Sequence, residues 1–360
     1  MWNKQRCYVT DKKISMKTKA AVLYEQNKPL LIEEITIPEP MEGQVLVKII
    51  ASGICRTQIN EIKGEKGPDK FLPHTLGHEG AGIVQRVGGK VKKVKAGDHV
   101  VLTWIKGAGM DIPSSKYENN KGVAINSGAI STFMEYAVIS ENRLVAIPDG
   151  MPFNEAALLG CAIPTGAGII KNSINLNKEK SISIFGIGGI GASALLYASA
   201  IGCLKIIAID VNDRKLEFAM NIGATQTINL KTEDVISRIK EISDNNGTDY
   251  AVECSGKKEV MEIAFASINN KGTAVIAGNL KYGEKISINP FDLILGKKII
   301  GTWGGETKPD TDILLYARMF LSGRLKLGKL ITHKFSLEEI NEAIKLIEKG
   351  DAVRSIIEFQ

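Results

Sequence analysis

The sequence has little of what would commit a chain to a membrane, a nucleic acid or an oxidising compartment. Its five cysteines, Cys7, Cys55, Cys161, Cys203 and Cys254, are scattered through 360 residues without a secretory signal. A disulfide framework is therefore not expected, and a reducing cytoplasm is the natural setting. The long uncharged stretch 181–204 could span a bilayer by length, but five glycines divide it into a short strand, a turn and a helix, so no transmembrane segment is expected. A concentrated basic stripe is also missing. The 46 basic and 40 acidic residues leave +6, with lysines in ones and twos among acids, so no nucleic-acid partner is expected. Internal repeats and low-complexity segments are lacking. Residues 1–16 carry mixed charge up to a second methionine, Met16, and read as an extension or an over-called start rather than an address.

What is present is an ordinary globular composition, 44% hydrophobic and 24% charged, in a chain long enough for two cores. From residue 19 to about 170, short β-branched runs (44–50, 81–87, 98–103, 133–139) alternate with turns containing glycine and proline, which predicts an irregular, mostly β domain. From residue 181 the rhythm becomes strand, helix, strand: 181–185, a helix through Tyr197, 205–210, a helix over 214–220, then 250–254 and 273–278. That alternation predicts a doubly wound parallel sheet, making the fold class α/β. After Gly301, helices over 313–321 and 337–349 and a closing strand over 354–359 do not continue the pattern, and are expected to return to the first domain.

The strand at 181–185 runs into Gly186-Ile-Gly188-Gly189-Ile190-Gly191 and then a helix. Small residues suit a backbone that must turn tightly, approach a pyrophosphate and pack its helix closely on the strand. The helix N-terminus offers unpaired amides to the anion. Glycine turns of this kind often have only a structural role, but Asp210 closes the next strand at the distance where a carboxylate accepts bonds from adenosine ribose hydroxyls. A carboxylate there also repels a 2′-phosphate, which favours NAD over NADP. Arg214 and Lys215 follow closely and weaken that exclusion, and Lys215 is counted with the cofactor-binding residues.

Three further residues sit in glycine-flanked settings ahead of this turn: Cys55 in Gly53-Ile-Cys55-Arg56-Thr57, His78 in Gly77-His78-Glu79-Gly80, and Cys161 in Gly160-Cys161-Ala162. Taken singly, each has an ordinary account as a buried thiol or a hydrogen-bonded histidine. Together they make a borderline-soft donor set suited to Zn²⁺, with a fourth position left for water or a substrate oxygen.

With these motifs in this order, the chain from about residue 19 resembles the zinc-containing, medium-chain alcohol dehydrogenase family. The matching elements are Lys-Ala-Ala-Val-Leu, Gly-Ile-Cys55-Arg-Thr, Gly-His78-Glu-Gly-Ala-Gly, Gly-Cys161-Ala-Ile-Pro-Thr-Gly and the glycine turn. A two-cysteine, one-histidine catalytic zinc is the arrangement known from alcohol dehydrogenase itself, so that agreement is not independent support. The resemblance implies a mostly β GroES-like catalytic domain in two parts, 1–165 and 305–360, around a Rossmann domain at 166–304. It implies that Cys55, His78 and Cys161 hold zinc, that Glu79 lies behind the metal or serves as an alternate ligand, and that Thr57 bonds the substrate oxygen. It further implies that Arg56 and Arg354 contact the cofactor pyrophosphate and that Thr165 packs near the nicotinamide. Trp104 falls at an aromatic wall of the alcohol pocket, with plain core packing as the competing account. A homodimer or homotetramer is expected on the same basis.

The chain also departs from the family. A four-cysteine structural zinc lobe is common after the Gly97-Asp98-His99 segment, but residues 104–128 contain no cysteine, so one zinc per chain is expected. The usual acid after the first ligand is Gln58, which weakens support for the ligand histidine, and the outer histidine of the proton relay is Asn60. His74, four residues before His78, has the cleft and the surface open to it, with the surface favoured; His99 is expected at a strand edge and His333 in a structural role, while Cys203 and Cys254 are expected to line the sheet core. The resulting expectation is hydride transfer between a small alcohol, or its carbonyl product, and NAD. Alternatives are a polyol, sugar-alcohol or aldehyde-adduct dehydrogenase, and a non-catalytic dinucleotide-binding protein.

Overall fold

The computed structural model describes residues 16–360; Cys7 and residues 1–15 of the leading segment lie outside them. The β-branched runs of the N-terminal half pair into two sheets. Strands Lys17–Leu23, Leu31–Thr36, Lys116–Asn119, Ala124–Ser127 and His74–Thr75 close a small barrel. Beside it a seven-stranded sheet is built on Gln44–Ile54, which pairs with Glu79–Val87, Tyr136–Ser140 and Ser355–Glu358. His99–Thr103 and Leu144–Ala146 extend one side and His333–Phe335 the other.

Several expected boundaries move, among them those of the helix at Pro309–Leu321 and the strand at Ile268–Ile276, and two of the shifts have identifiable contacts behind them. The strand expected over 133–139 begins at Tyr136, because Phe133 accepts a bond from the Ala21 amide (2.9 Å) and Glu135 donates to Lys19 (3.1 Å), drawing this part of the segment to the first strand. The last helix begins at Ile340, after a turn in which Glu339 accepts from the Ser336 amide (2.8 Å).

The second half forms a six-stranded sheet in the order Gln226–Asn229, Lys205–Asp210, Ser181–Phe185, Thr248–Glu253, Ile268–Ile276, Lys298–Gly301, with every pair parallel. Counted from Ser181–Phe185, this is the doubly wound order 3-2-1-4-5-6. Helices on both faces bury the apolar run 206–209 on either side. The strand order reverses between Ser181–Phe185 and Thr248–Glu253, so a crevice opens at their carboxyl ends where the glycine turn lies. Helix Asp213–Ile222 is capped by the Asn212 side chain, which accepts from the Arg214 amide (3.0 Å), and is stopped by left-handed Gly223. Among the described residues, no helix is long and apolar enough to cross a membrane.

The chain end then returns to the first body. Ser355 lies opposite Ile54 and Ile356 opposite Gly53, so Arg354 arrives next to a segment 300 positions away, with its Nη1 donating to the Ile54 carbonyl at 3.3 Å.

Candidate active site

Sheet register assembles the sulfur and imidazole donors. Cys55 ends strand Gln44–Ile54 and caps helix Arg56–Ile62; His78 leads into Glu79–Val87, whose Gly80 lies opposite Ser52; Cys161 caps helix Ala162–Gly168. The ligand atoms of Cys55, His78 and Cys161 all lie within 4.8 Å of one another. Gly160 permits this approach, since a Cβ there would sit 2.3 Å from the Leu102 carbonyl oxygen. Both thiols are buried side by side. The neighbouring Cys161 thiol, with His78 and Arg354 and against burial, holds Cys55 well below the ordinary thiol range, and the neighbouring Cys55 together with burial pushes Cys161 well above it. His78 Nε2 is buried with no partner. Two sulfurs and an orphaned imidazole nitrogen fit zinc, which binds such donors at about 2.3 Å and 2.0–2.1 Å, and do not fit calcium or magnesium, which take oxygen.

Glu79 is fully buried behind this set. Its Oε2 accepts from Arg354 Nη2 (2.6 Å) and from the Ala162 amide (3.2 Å), so one carboxylate joins the His78 strand, the Cys161 helix and the returning C-terminal strand. Gly53 leaves the room, because a Cβ there would lie 2.4 Å from Glu79 Oε1. Burial pushes this carboxyl up and Arg354 pulls it back. Burial opposes the Arg354 charge, but Glu79 and the two thiols outweigh it and hold the guanidinium above its ordinary range.

A cavity of about 560 Å³ opens beside the metal-ligand set. His78, Gln58, Glu61, His74, Trp104, Ile105, Lys106, Ile130, Arg143 and Trp303 contribute to its wall. Trp104 both packs on the core and meets Trp303 edge-on at 5.1 Å, so wall and core packing coexist. Thr57, on the first turn of helix Arg56–Ile62, makes no side-chain hydrogen bond within the described chain. Gln58 is buried and its Oε1 accepts from the Cys55 amide (3.0 Å), which supports the turn at Cys55 rather than the histidine. The Asn60 amide nitrogen, in the orientation its neighbours require, donates to Glu65 and to the Arg56 carbonyl, each at 3.2 Å.

His74 takes the cleft side of its two expected places rather than the surface, in the wall of the cavity that His78 borders. It is buried, with Nε2 2.7 Å from Asp69 and Nδ1 3.2 Å from the Thr75 carbonyl. The short strand His74–Thr75 draws it into the barrel, a non-local pairing that the local sequence does not signal. Glu61, Asp69 and His74 form a second group with ligand atoms within 4.8 Å, but they are partnered by one another and by Lys66. His99 begins its strand and packs on Phe153, His333 begins a short strand, and Cys203 joins the core. Cys254 packs against that core from partial burial.

The dinucleotide turn adjoins this set through Arg354. Gly186 has φ +87°, a region that favours glycine, and a Cβ on Gly191 would lie 2.0 Å from the Gly186 carbonyl oxygen. The space over Gly188 is open, while a Cβ on Gly189 would lie 2.7 Å from Arg354 Nη1. Ile190 follows in the first turn of helix Gly189–Ala200. Asp210 ties the turn to its strand, accepting from the Ile187 (2.7 Å), Val211 (2.8 Å) and Asn212 (3.1 Å) amides. Thr165 Oγ1 is buried without a partner. Arg56 is exposed and donates to the Ile347 carbonyl at 3.4 Å, and Lys215 lies half-buried on helix Asp213–Ile222.

Sequence reasoning missed Arg143, Trp303 and Glu253. Arg143 and Trp303 reach the cavity from segments distant in sequence, and no spacing signals them. Glu253 is a buried carboxylate at the end of the fourth parallel strand, where it accepts from the Ser255 (2.6 Å) and Gly256 (3.0 Å) amides beside Gly186.

Residues 41–149 match the alcohol dehydrogenase GroES-like domain and residues 189–317 the zinc-binding dehydrogenase family. The S-(hydroxymethyl)glutathione dehydrogenase of Synechocystis sp. is 34% identical over 96% of this chain and 100% of its own length. The solved structure of an alcohol dehydrogenase zinc-binding domain protein from Burkholderia ambifaria superposes with a TM-score of 0.89 at 32% identity, covering 96% of this chain and all of that one. Benzyl alcohol dehydrogenase from Acinetobacter calcoaceticus gives 0.88 at 29%, with the same coverage. The chain belongs to the zinc-containing, medium-chain alcohol dehydrogenase family.

Proposed function

We propose that this chain is a zinc-dependent alcohol dehydrogenase that moves a hydride between a small alcohol, or its aldehyde or ketone, and NAD. The observation that carries this reading is the convergence of the Cys55, His78 and Cys161 donor atoms within 4.8 Å of one another, with His78 bordering a cavity and Arg354 reaching from Glu79 to the dinucleotide turn. Zinc supplies Lewis acidity toward the alcohol or carbonyl oxygen and NAD the hydride acceptor. Adding alcohols and NAD to the zinc-loaded protein should raise absorbance at the NADH band. If no alcohol, polyol or thiol adduct does so, the non-catalytic alternative takes its place. A second reading, oxidation of a formaldehyde–thiol adduct, is favoured by the name of the Synechocystis relative. Turnover on a panel of alcohols, polyols and thiol adducts separates the two.

The chain's own residues then handle the proton. Thr57 is free to bond the alcohol and pass its proton toward a cofactor ribose hydroxyl. Asn60 is engaged with Glu65 and lacks a suitable pKa, and both ring nitrogens of His74 are occupied. Beyond Thr57 and that hydroxyl, the proton therefore reaches water without a further side-chain relay. Positioned proton transfer is worth about 10²- to 10⁴-fold, so Thr57→Val should reduce kcat by that order and Asn60→Ala by far less. Equal losses, or an ionisation that disappears from the kcat profile of His74→Ala, would refute the direct route.

NAD is preferred over NADP because Asp210 faces the adenosine ribose, where a 2′-phosphate meets like charge. Asp210→Gly should narrow the ratio of kcat/KM for the two cofactors and also lower thermal stability, since three backbone amides lose their acceptor. Wild-type protein that uses NADP equally well would overturn the assignment.

For the domain division we take 1–165 with 305–360 as the catalytic part and 166–304 as the dinucleotide part, supported by strands His333–Phe335 and Ser355–Glu358 joining the sheet of Gln44–Ile54. A homodimer, or a tetramer built from it, is favoured by the edge strand Lys298–Gly301 and the exposed Phe291 and Ile294 nearby. Light scattering that gives a monomer mass would exclude both. The cytoplasm suits the four free cysteines among the described residues, and cell fractionation tests it.

A further inference from the structure

The charged groups around the cavity are paired, with one exception. Glu61 lies 2.9 Å from Lys66, His74 lies 2.7 Å from Asp69, and Lys106 lies 2.6 Å from Asp111. Arg143 lines the same cavity at 7% exposure, and among the described residues no carboxylate stands within ion-pair distance of it. Its only side-chain bond there is from Nη1 to the Trp104 carbonyl. Asp111, the carboxylate nearest in influence, has both oxygens engaged already, Oδ2 by Lys106 and Oδ1 by the Asn142 amide at 3.0 Å.

The guanidinium donors that Trp104 does not take are not among the buried, unpartnered atoms and open to the cavity Arg143 lines, where an entering anion can pair with them. We infer that Arg143 is a substrate-recognition residue, and that the alcohol oxidised here carries a carboxylate at the end away from its carbinol. This rests on the alcohol dehydrogenase reading above and adds the substrate class. The planar fork of arginine matches a carboxylate with two parallel N–H···O bonds, while Trp104, Trp303, Ile105 and Ile130 supply an apolar wall for the body of the molecule. The carbinol end lies toward His78, which borders the same cavity.

The test compares 4-(hydroxymethyl)benzoate with benzyl alcohol on zinc-loaded wild type, Arg143→Gln and Arg143→Lys. A charge-assisted hydrogen bond is worth about 1.5–3 kcal/mol, so in Arg143→Gln the ratio of kcat/KM for the carboxylate over the neutral alcohol should fall about 10- to 100-fold, through KM, with partial recovery in Arg143→Lys. S-(hydroxymethyl)glutathione forms a second arm. An Arg143-dependent loss on that adduct assigns the carboxylate to a thiol adduct, and a loss on the benzoate assigns it to a compact hydroxy acid. Calorimetric binding of benzoate to the holoprotein gives a readout without turnover and should weaken by the same factor in Arg143→Gln. Equal losses on charged and neutral substrates, or benzoate binding unchanged in Arg143→Gln, would overturn the inference while leaving the dehydrogenase reading intact. Failure to oxidise any alcohol counts against that reading instead, and the benzoate titration still decides the role of Arg143.

Discussion

Replacing Cys161 with alanine should leave a folded protein that no longer retains stoichiometric zinc and has lost most of its turnover. The residue caps helix Ala162–Gly168 without a side-chain capping bond, so its removal takes little from the helix itself. It does remove one of the two sulfurs in a three-donor set, and no third cysteine among the described residues joins that cluster to replace it. Lewis-acid stabilisation is worth several kcal/mol, so losing the metal should reduce kcat/KM by about 10³-fold or more. Elemental analysis should find one zinc per wild-type chain and well under one in Cys161→Ala. Two zincs in the wild type, or full occupancy in the variant, would refute the site. Zinc uptake should also weaken as pH falls, because cysteine binds the metal as thiolate and protons compete for the sulfurs.

The second large effect belongs to the pair behind the ligands. Arg354→Met leaves the Glu79 carboxylate fully buried with the Ala162 amide as its remaining partner, and removing one member of a buried ion pair costs about 3–5 kcal/mol. Glu79→Leu should cost a similar amount for the complementary reason. The double variant should recover much of the loss, because two apolar side chains no longer strand a charge. Urea unfolding of the four proteins measures this cycle. Single variants within about 1 kcal/mol of wild type would show that the pair is not holding the returning strand to the metal loop. The KM for NAD separates a second role, since Arg354 also borders Gly189. Stability should recover in the double variant and cofactor affinity should not. If both recover together, Arg354 does not contact the cofactor.

These two predictions differ in how far the sequence foreshadows them. Cys55, His78 and Cys161 stand in glycine-flanked motifs whose order signals a metal set, and the glycines have steric reasons: Gly53 makes room for Glu79, and Gly160 lets Cys161 close. The turn from Gly186 to Gly191 and Asp210 was equally legible, because strand, turn, helix and next strand are consecutive and their geometry is local. The alternating strands and helices beyond residue 181 imply a parallel sheet for the same reason.

Non-local pairing decided the remainder. Arg354 resembles a cofactor contact in sequence, but the antiparallel register of Ser355–Glu358 on Gln44–Ile54 also places it on Glu79, 275 positions away. His74 gives no local sign of burial, and two-residue pairing with strands from either side draws it into the barrel. Arg143 and Trp303 acquire a role only when their segments meet across the cavity. The sequence by itself determined the chemistry of the donors and the shape of the phosphate turn, because both depend on neighbours within a few residues. Tertiary structure alone decided which charges are paired behind Cys55, His78 and Cys161 and which cation faces the cavity, because those depend on how distant segments meet.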